Sequence, residues 1–111
     1  MLKKSHIKLA LKIAKKSANK NEIPVGCVIF DKTGKVISSG SNSPIEKNDP
    51  TAHAEILAIR EACKKLNLNK LNDLSIFVTL EPCKMCEHAI YEAGIKKIFF
   101  GAYSENYSIA H

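Results

Sequence analysis

Val25-Gly26-Cys27-Val28-Ile29-Phe30, then Asp31-Lys32-Thr33-Gly34, then Lys35-Val36-Ile37-Ser38-Ser39, is the stretch on which the fold class turns. A short apolar run ended by turn residues predicts a buried strand over residues 25–30. Asp-Lys-Thr-Gly predicts a hairpin turn, and residues 35–39 its antiparallel partner. A sheet that opens with a hairpin therefore stands near the start of the chain.

On the N-terminal side, residues 1–20 carry seven lysines and no acid. On a helical wheel Lys4, Lys8, Lys12, Lys15 and Lys16 share one arc, and Ile7, Ala10, Leu11, Ala14 and Ala18 the opposite one. That pattern predicts a first helix packed on the sheet with a solvated basic face. Lysines interrupt every apolar run there, which excludes a signal peptide.

On the C-terminal side, residues 40–49 are rich in Ser, Asn and Pro and predict a loop. Asp49-Pro50 then supplies a cap and a first-turn proline for a helix over residues 50–66, with Ile56, Ile59, Cys63 and Leu66 at helical spacing. Residues 74–80 predict a strand and Glu81-Pro82 a turn. A short helix over 83–93, ended by Gly94, precedes a last strand over 95–100. Each of these later strands follows a helix, so right-handed crossovers make them parallel neighbours in a mixed sheet. Residues 101–111 are left without an assigned element.

The chain has 111 residues, 45% of them hydrophobic, which suits one packed domain over residues 1–111. No apolar run is long enough to span a bilayer. A net charge of +6 attracts polyanions, nucleic acid above all. The four cysteines are expected to be reduced, with Cys27 and Cys63 as core residues, and the expected compartment is the cytoplasm.

Two short motifs carry chemistry. Thr51-Ala52-His53-Ala54-Glu55 holds a His-x-Glu, and Glu81-Pro82-Cys83-Lys84-Met85-Cys86 a Cys-x-x-Cys. Each alone is weak, since one Cys-x-x-Cys also serves redox chemistry or half of a structural zinc site. Together they supply three ligands, each half at the start of a predicted helix. Three protein ligands leave zinc a fourth position for water. Cys83 and Cys86, three apart in a first turn, share one face where free N–H groups favour thiolates. His53 and Glu55 share a site only in a first turn viewed end-on, so two helix starts are expected to converge on one Zn2+ per chain. Glu55 then stands beside the metal's water as a proton shuttle. His6, His88 and His111 are expected at the surface.

These motifs, with Asn21-Glu22-Ile23-Pro24-Val25-Gly26 and Val78-Thr79-Leu80-Glu81-Pro82-Cys83, resemble the cytidine deaminase-like superfamily. Within it the chain most resembles the bacterial tRNA-specific adenosine deaminases, over about residues 5–103. The resemblance implies a three-layer α/β/α sandwich of the cytidine deaminase type, a homodimer, and deamination of the wobble adenosine in a tRNA anticodon loop. It implies His53, Cys83 and Cys86 as metal ligands, Glu55 as the catalytic proton shuttle, and Asn42 as a substrate-binding residue that holds the flipped base. On its residues alone, Asn42 reads as a turn residue in a polar loop. Two departures stand out: Cys27 follows Gly26 where the tRNA enzymes commonly have alanine, and the family usually continues well past the strand ending at Gly101. Two rival readings stay open: a deaminase of a free base or nucleoside of the guanine or cytosine type, and a non-catalytic zinc module that binds RNA or a partner.

Overall fold

Cys27, Ile29, Ile76 and Val78 point to one side of a sheet, and Val28, Phe30 and Phe77 to the other. This period-two division follows from the pleat of the two central strands, and it makes two cores. The computed structural model describes residues 1–102. Its elements in chain order are α1 (Lys4–Asn19), β1 (Gly26–Phe30), β2 (Val36–Ser41), α2 (Ala54–Leu66), β3 (Ser75–Val78), α3 (Lys84–Glu92) and β4 (Lys97–Phe100).

The sheet order is β2-β1-β3-β4. β1 runs antiparallel to both β2 and β3, while β3 and β4 are parallel, so the expected hairpin and the expected parallel pair are both present. α1 covers the Val28/Phe30/Phe77 face. α2 and α3 cover the other, giving the three-layer α/β/α arrangement and mixed sheet expected from the sequence. No described helix is long and apolar enough to cross a membrane. The unassigned stretch 101–111, with His111, falls almost wholly outside the described residues.

Both helical layers sit unusually close to the sheet. A Cβ at Gly26 would run into the Ala10 carbonyl of α1, and one at Gly40 into the Ala54 carbonyl of α2. Ser38, two residues from Gly40 on the same face, donates its hydroxyl to the Ala58 carbonyl at 2.7 Å. At those contacts only small side chains fit, which corrects part of the expected faces. α2 buries Ala54, Glu55, Ala58 and Ala62, whereas Ile59 and Cys63 are partly buried and Leu66 is exposed. On α1 the buried set is His6, Ala10, Ile13, Ala14 and Ser17, and Leu11 faces solvent.

Two further expectations are corrected. α2 starts at Ala54, not at Pro50: the Asp49 carboxylate accepts the Thr51 N–H at 2.9 Å and hydroxyl at 2.8 Å, closing a separate turn before the helix. His6 is buried, not at the surface. Its ring stacks on Phe30, Nδ1 accepts the Lys3 N–H at 3.0 Å, and Nε2–H donates to the Gly34 carbonyl at 2.8 Å. Cys27 is fully buried, and His88 is exposed, as expected.

Candidate metal centre

With the start of α2 moved to Ala54, His53 becomes its N-cap residue and Glu55 its second helical residue. Cys83 is likewise the N-cap of α3, and Cys86 lies in its first turn. Helix starts leave backbone N–H groups without intrahelical acceptors, so both motifs stand where negative ligand charge is favoured. α2 and α3 touch.

His53 Nδ1 lies 3.6 Å from Cys83 Sγ and 3.4 Å from Cys86 Sγ, and the three donor atoms all fall within 4.8 Å of one another. Tetrahedral zinc, with Zn–S near 2.3 Å and Zn–N near 2.0–2.1 Å, requires N···S separations of about 3.5 Å. The donor set therefore fits zinc in both chemistry and spacing. Cys86 is buried, whereas His53 and Cys83 are half-buried, so the cluster is open to solvent on one side.

Burial pushes the Cys86 thiol far above its ordinary range, and the charges of Glu55 and Cys83 push it further. Burial likewise raises Cys27, with Glu55 adding to it. A thiolate at Cys86 needs a cation beside it, and a divalent metal supplies that. Glu55 is fully buried, and its charge acts on both Cys86 and Cys27, so its carboxyl group lies close to the donor cluster.

Residues 2–102 match the family of the cytidine and deoxycytidylate deaminase zinc-binding region. The chain belongs to that zinc-binding deaminase family. Among curated relatives, the tRNA-specific adenosine deaminase of Aquifex aeolicus is 48% identical over 102 residues, covering 92% of this chain and 67% of its own length. This chain spans about two thirds of the length of such relatives. Among solved structures, one from studies of A-to-I editing by tRNA:A34 deaminases at the wobble position superposes with a TM-score of 0.90 at 39% identity, covering 94% of this chain and 75% of that one. The guanine deaminase of Bacillus subtilis superposes with a TM-score of 0.85 at 41% identity, covering 93% and 66%.

In this family member Asn42 is 3% exposed, in the loop that follows β2. Its Nδ2 donates to the Ile23 carbonyl at 3.2 Å, while Oδ1 has no hydrogen-bond partner among the described residues. The next residue, Ser43, donates its N–H to the Ala52 carbonyl at 2.9 Å, placing this loop against the segment that carries His53.

Two positioning residues had no individual signal in the sequence. Glu22 is buried, and its carboxylate accepts the N–H groups of Ile45 at 3.2 Å and Glu46 at 2.7 Å, fixing the loop that carries Asn42. Thr79 accepts the Gly26 N–H on its hydroxyl at 3.1 Å, pinning the end of β3 where the chain leaves for Cys83. Both lie in stretches that carry the family resemblance, yet their roles depend on partners 23 or more residues away.

Proposed function

We propose that the chain is a hydrolytic deaminase converting adenosine to inosine at the wobble position of tRNA, with His53, Cys83 and Cys86 as zinc ligands. The observation that carries this reading is the convergence of three donors, with Glu55 beside them as a carboxyl group outside the ligand set. A structural zinc site would take a fourth protein ligand, and a glutamate there would have no task. Nearly half-identity to a tRNA-specific adenosine deaminase supports the choice of substrate.

Bound zinc supplies a Lewis acid that draws the pKa of water towards 7, with one coordination position left open. Glu55 takes one proton from the attacking water and gives it to the ring nitrogen; it then takes the proton of the new hydroxyl on the ring carbon and gives it to the departing amine, which leaves as ammonia. The balance is adenosine plus water to inosine plus ammonia. Asn42, anchored through Nδ2, offers Oδ1 as an acceptor to an N–H of the base. The chain works in the cytoplasm as one deaminase domain, binds RNA, and pairs as a homodimer. Exposed Met85 and Tyr91 on α3 support the last point, and sedimentation reading a monomer at micromolar concentration would remove it.

The test is mass spectrometry of tRNA before and after incubation, with inosine appearing at the wobble position. Glu55→Gln keeps zinc and fold but loses about 10² to 10⁴ in rate. Near-normal turnover in that variant moves the proton shuttle elsewhere. The likeness to guanine deaminase supports a second reading, a deaminase of a free base. Turnover of guanine or cytosine, with an anticodon stem-loop untouched even at low salt, would establish it.

A further inference from the structure

The net positive charge of the chain comes from its first 20 residues. Residues 1–20 hold seven of the 17 cations and no acid, while the other ten cations are set against 11 acids. Without its first segment the protein is nearly neutral. Lys4, Lys8, Lys12, Lys15 and Lys16 all face solvent on α1, opposite the face packed on the sheet. None of them is in an ion pair among the described residues; the ion pairs there are Lys20 with Glu46 and Lys32 with Asp73.

The stripe also has a direction. α1 begins beside the hairpin, where His6 bonds Gly34, and ends beside the start of β1, where Ser17 donates to the Val25 carbonyl. That carbonyl also accepts the Asn42 N–H, and the adjoining Gly26 bonds Thr79. The stripe therefore reaches the site end of the sheet at Lys15 and Lys16 and runs back along the opposite layer to Lys4 at the hairpin end. From Lys4 to Lys16 the helix rises about 18 Å. A stripe of that length faces a short run of successive phosphates on one strand.

We infer that this stripe is the track for the RNA backbone: the stem leading to the target loop lays one strand's phosphates along α1 while the loop enters the metal centre. The inference rests on the RNA reading above and assigns where that RNA is gripped. An anionic membrane is the weaker partner. The apolar side of α1 is already buried in the sheet, and Leu11 is the one large apolar side chain the helix leaves exposed, so no apolar face remains to enter a bilayer.

The experiment replaces Lys4, Lys8, Lys12 and Lys15 together with glutamine and follows binding of an anticodon stem-loop, with inosine already at the target position, from 50 to 200 mM salt. Each lost phosphate contact removes about 0.9 from the log–log salt slope, so the wild type loses about 10²-fold more affinity across that range than the variant. A loop-only oligonucleotide binds both proteins alike. Lys8→Gln with Lys12→Gln gives about half the change and serves if the fourfold variant does not fold. Equal slopes for stem-loop binding overturn the track and leave the substrate reading standing. A reduced slope with no inosine formed on any tRNA supports the track and removes the substrate reading. No RNA binding at 50 mM overturns both. Loss of binding to phosphatidylglycerol vesicles with RNA binding unchanged makes the stripe a membrane contact.

Discussion

Substituting Gly40 by alanine should disable the metal centre without touching any donor. The added Cβ would meet the Ala54 carbonyl and stand 3.0 Å from the Ala58 nitrogen, both backbone atoms that no rotamer change can clear. Restoring ordinary separation from the Ala54 carbonyl moves the start of α2 by roughly 1 Å, at an overpacking cost of about 1–3 kcal/mol. His53 caps that helix start, and its Nδ1 must stay near 3.4–3.6 Å from both thiols. Metal–ligand distances tolerate only about 0.2 Å, so a shift of this size costs zinc affinity, by about 10- to 100-fold if it matches the loss of a supporting contact. Chelator competition gives the affinity and thermal melting the stability. Wild-type zinc affinity in a folded Gly40→Ala protein would refute the claim that β2 positions the metal helix through this contact.

Other consequences follow from the same geometry. The Cys83→Ala, Cys86→Ala double variant should bind essentially no zinc by elemental analysis, and retained metal would mean ligands elsewhere. Glu22→Ala strips the acceptor from two loop N–H groups and should cost about 2–3 kcal/mol, read as a lower melting temperature and faster hydrogen exchange at Ile45 and Glu46. The Thr33 hydroxyl, with the N–H groups of Lys35 and Thr33, holds the Asp31 carboxyl below its ordinary range. The folded protein thus binds that proton less readily than the unfolded chain. The stabilisation is present above about pH 4 and is lost as pH falls through the lower folded value. The melting-temperature gap between wild type and Asp31→Asn should therefore close on acidification, and a constant gap would sink that account.

The sequence carried the hairpin and the parallel pair because both rest on local signals: an apolar run beside turn residues, and strands that follow helices. It carried the metal cluster because two short motifs name all three donors. The start of α2 was not legible, since Asp49-Pro50-Thr51 is as good a helix cap as it is a separate turn. Only the fold makes the second choice, and that choice turns His53 into a cap residue. The faces of α1 and α2 were legible in part: Ile7, Ala10, Ala14, Ile59 and Cys63 lie in or against the cores as expected, whereas Leu11, Ala18 and Leu66 are exposed. On α2 the periodicity was read from large side chains, whereas Gly40 brings the helix backbone so close that alanine takes the inner positions. His6 looked like a surface residue because its burial depends on Phe30 and Gly34, far along the chain.

On the proposed function, chemistry and recognition are built by separate parts of this protein. The donors stand on two helix starts, tied to the sheet through Ser38, Gly40 and Thr79. Asn42 stands on a loop whose form is set by Glu22, and the positive charge lies on α1, the layer that contributes none of the donors. Likeness to a tRNA:A34 deaminase and to a guanine deaminase at TM-scores of 0.90 and 0.85 is what such a division would produce. A shared metal centre cannot distinguish an anticodon loop from a free purine, because the scissile amine presents the same chemistry in both. A free base carries neither ribose, flanking bases nor phosphate, and of these only the phosphate contacts are strongly salt-dependent. Those contacts scale with salt and the ring chemistry does not. The salt dependence of turnover on RNA, set beside that on a free base, therefore reports on recognition alone.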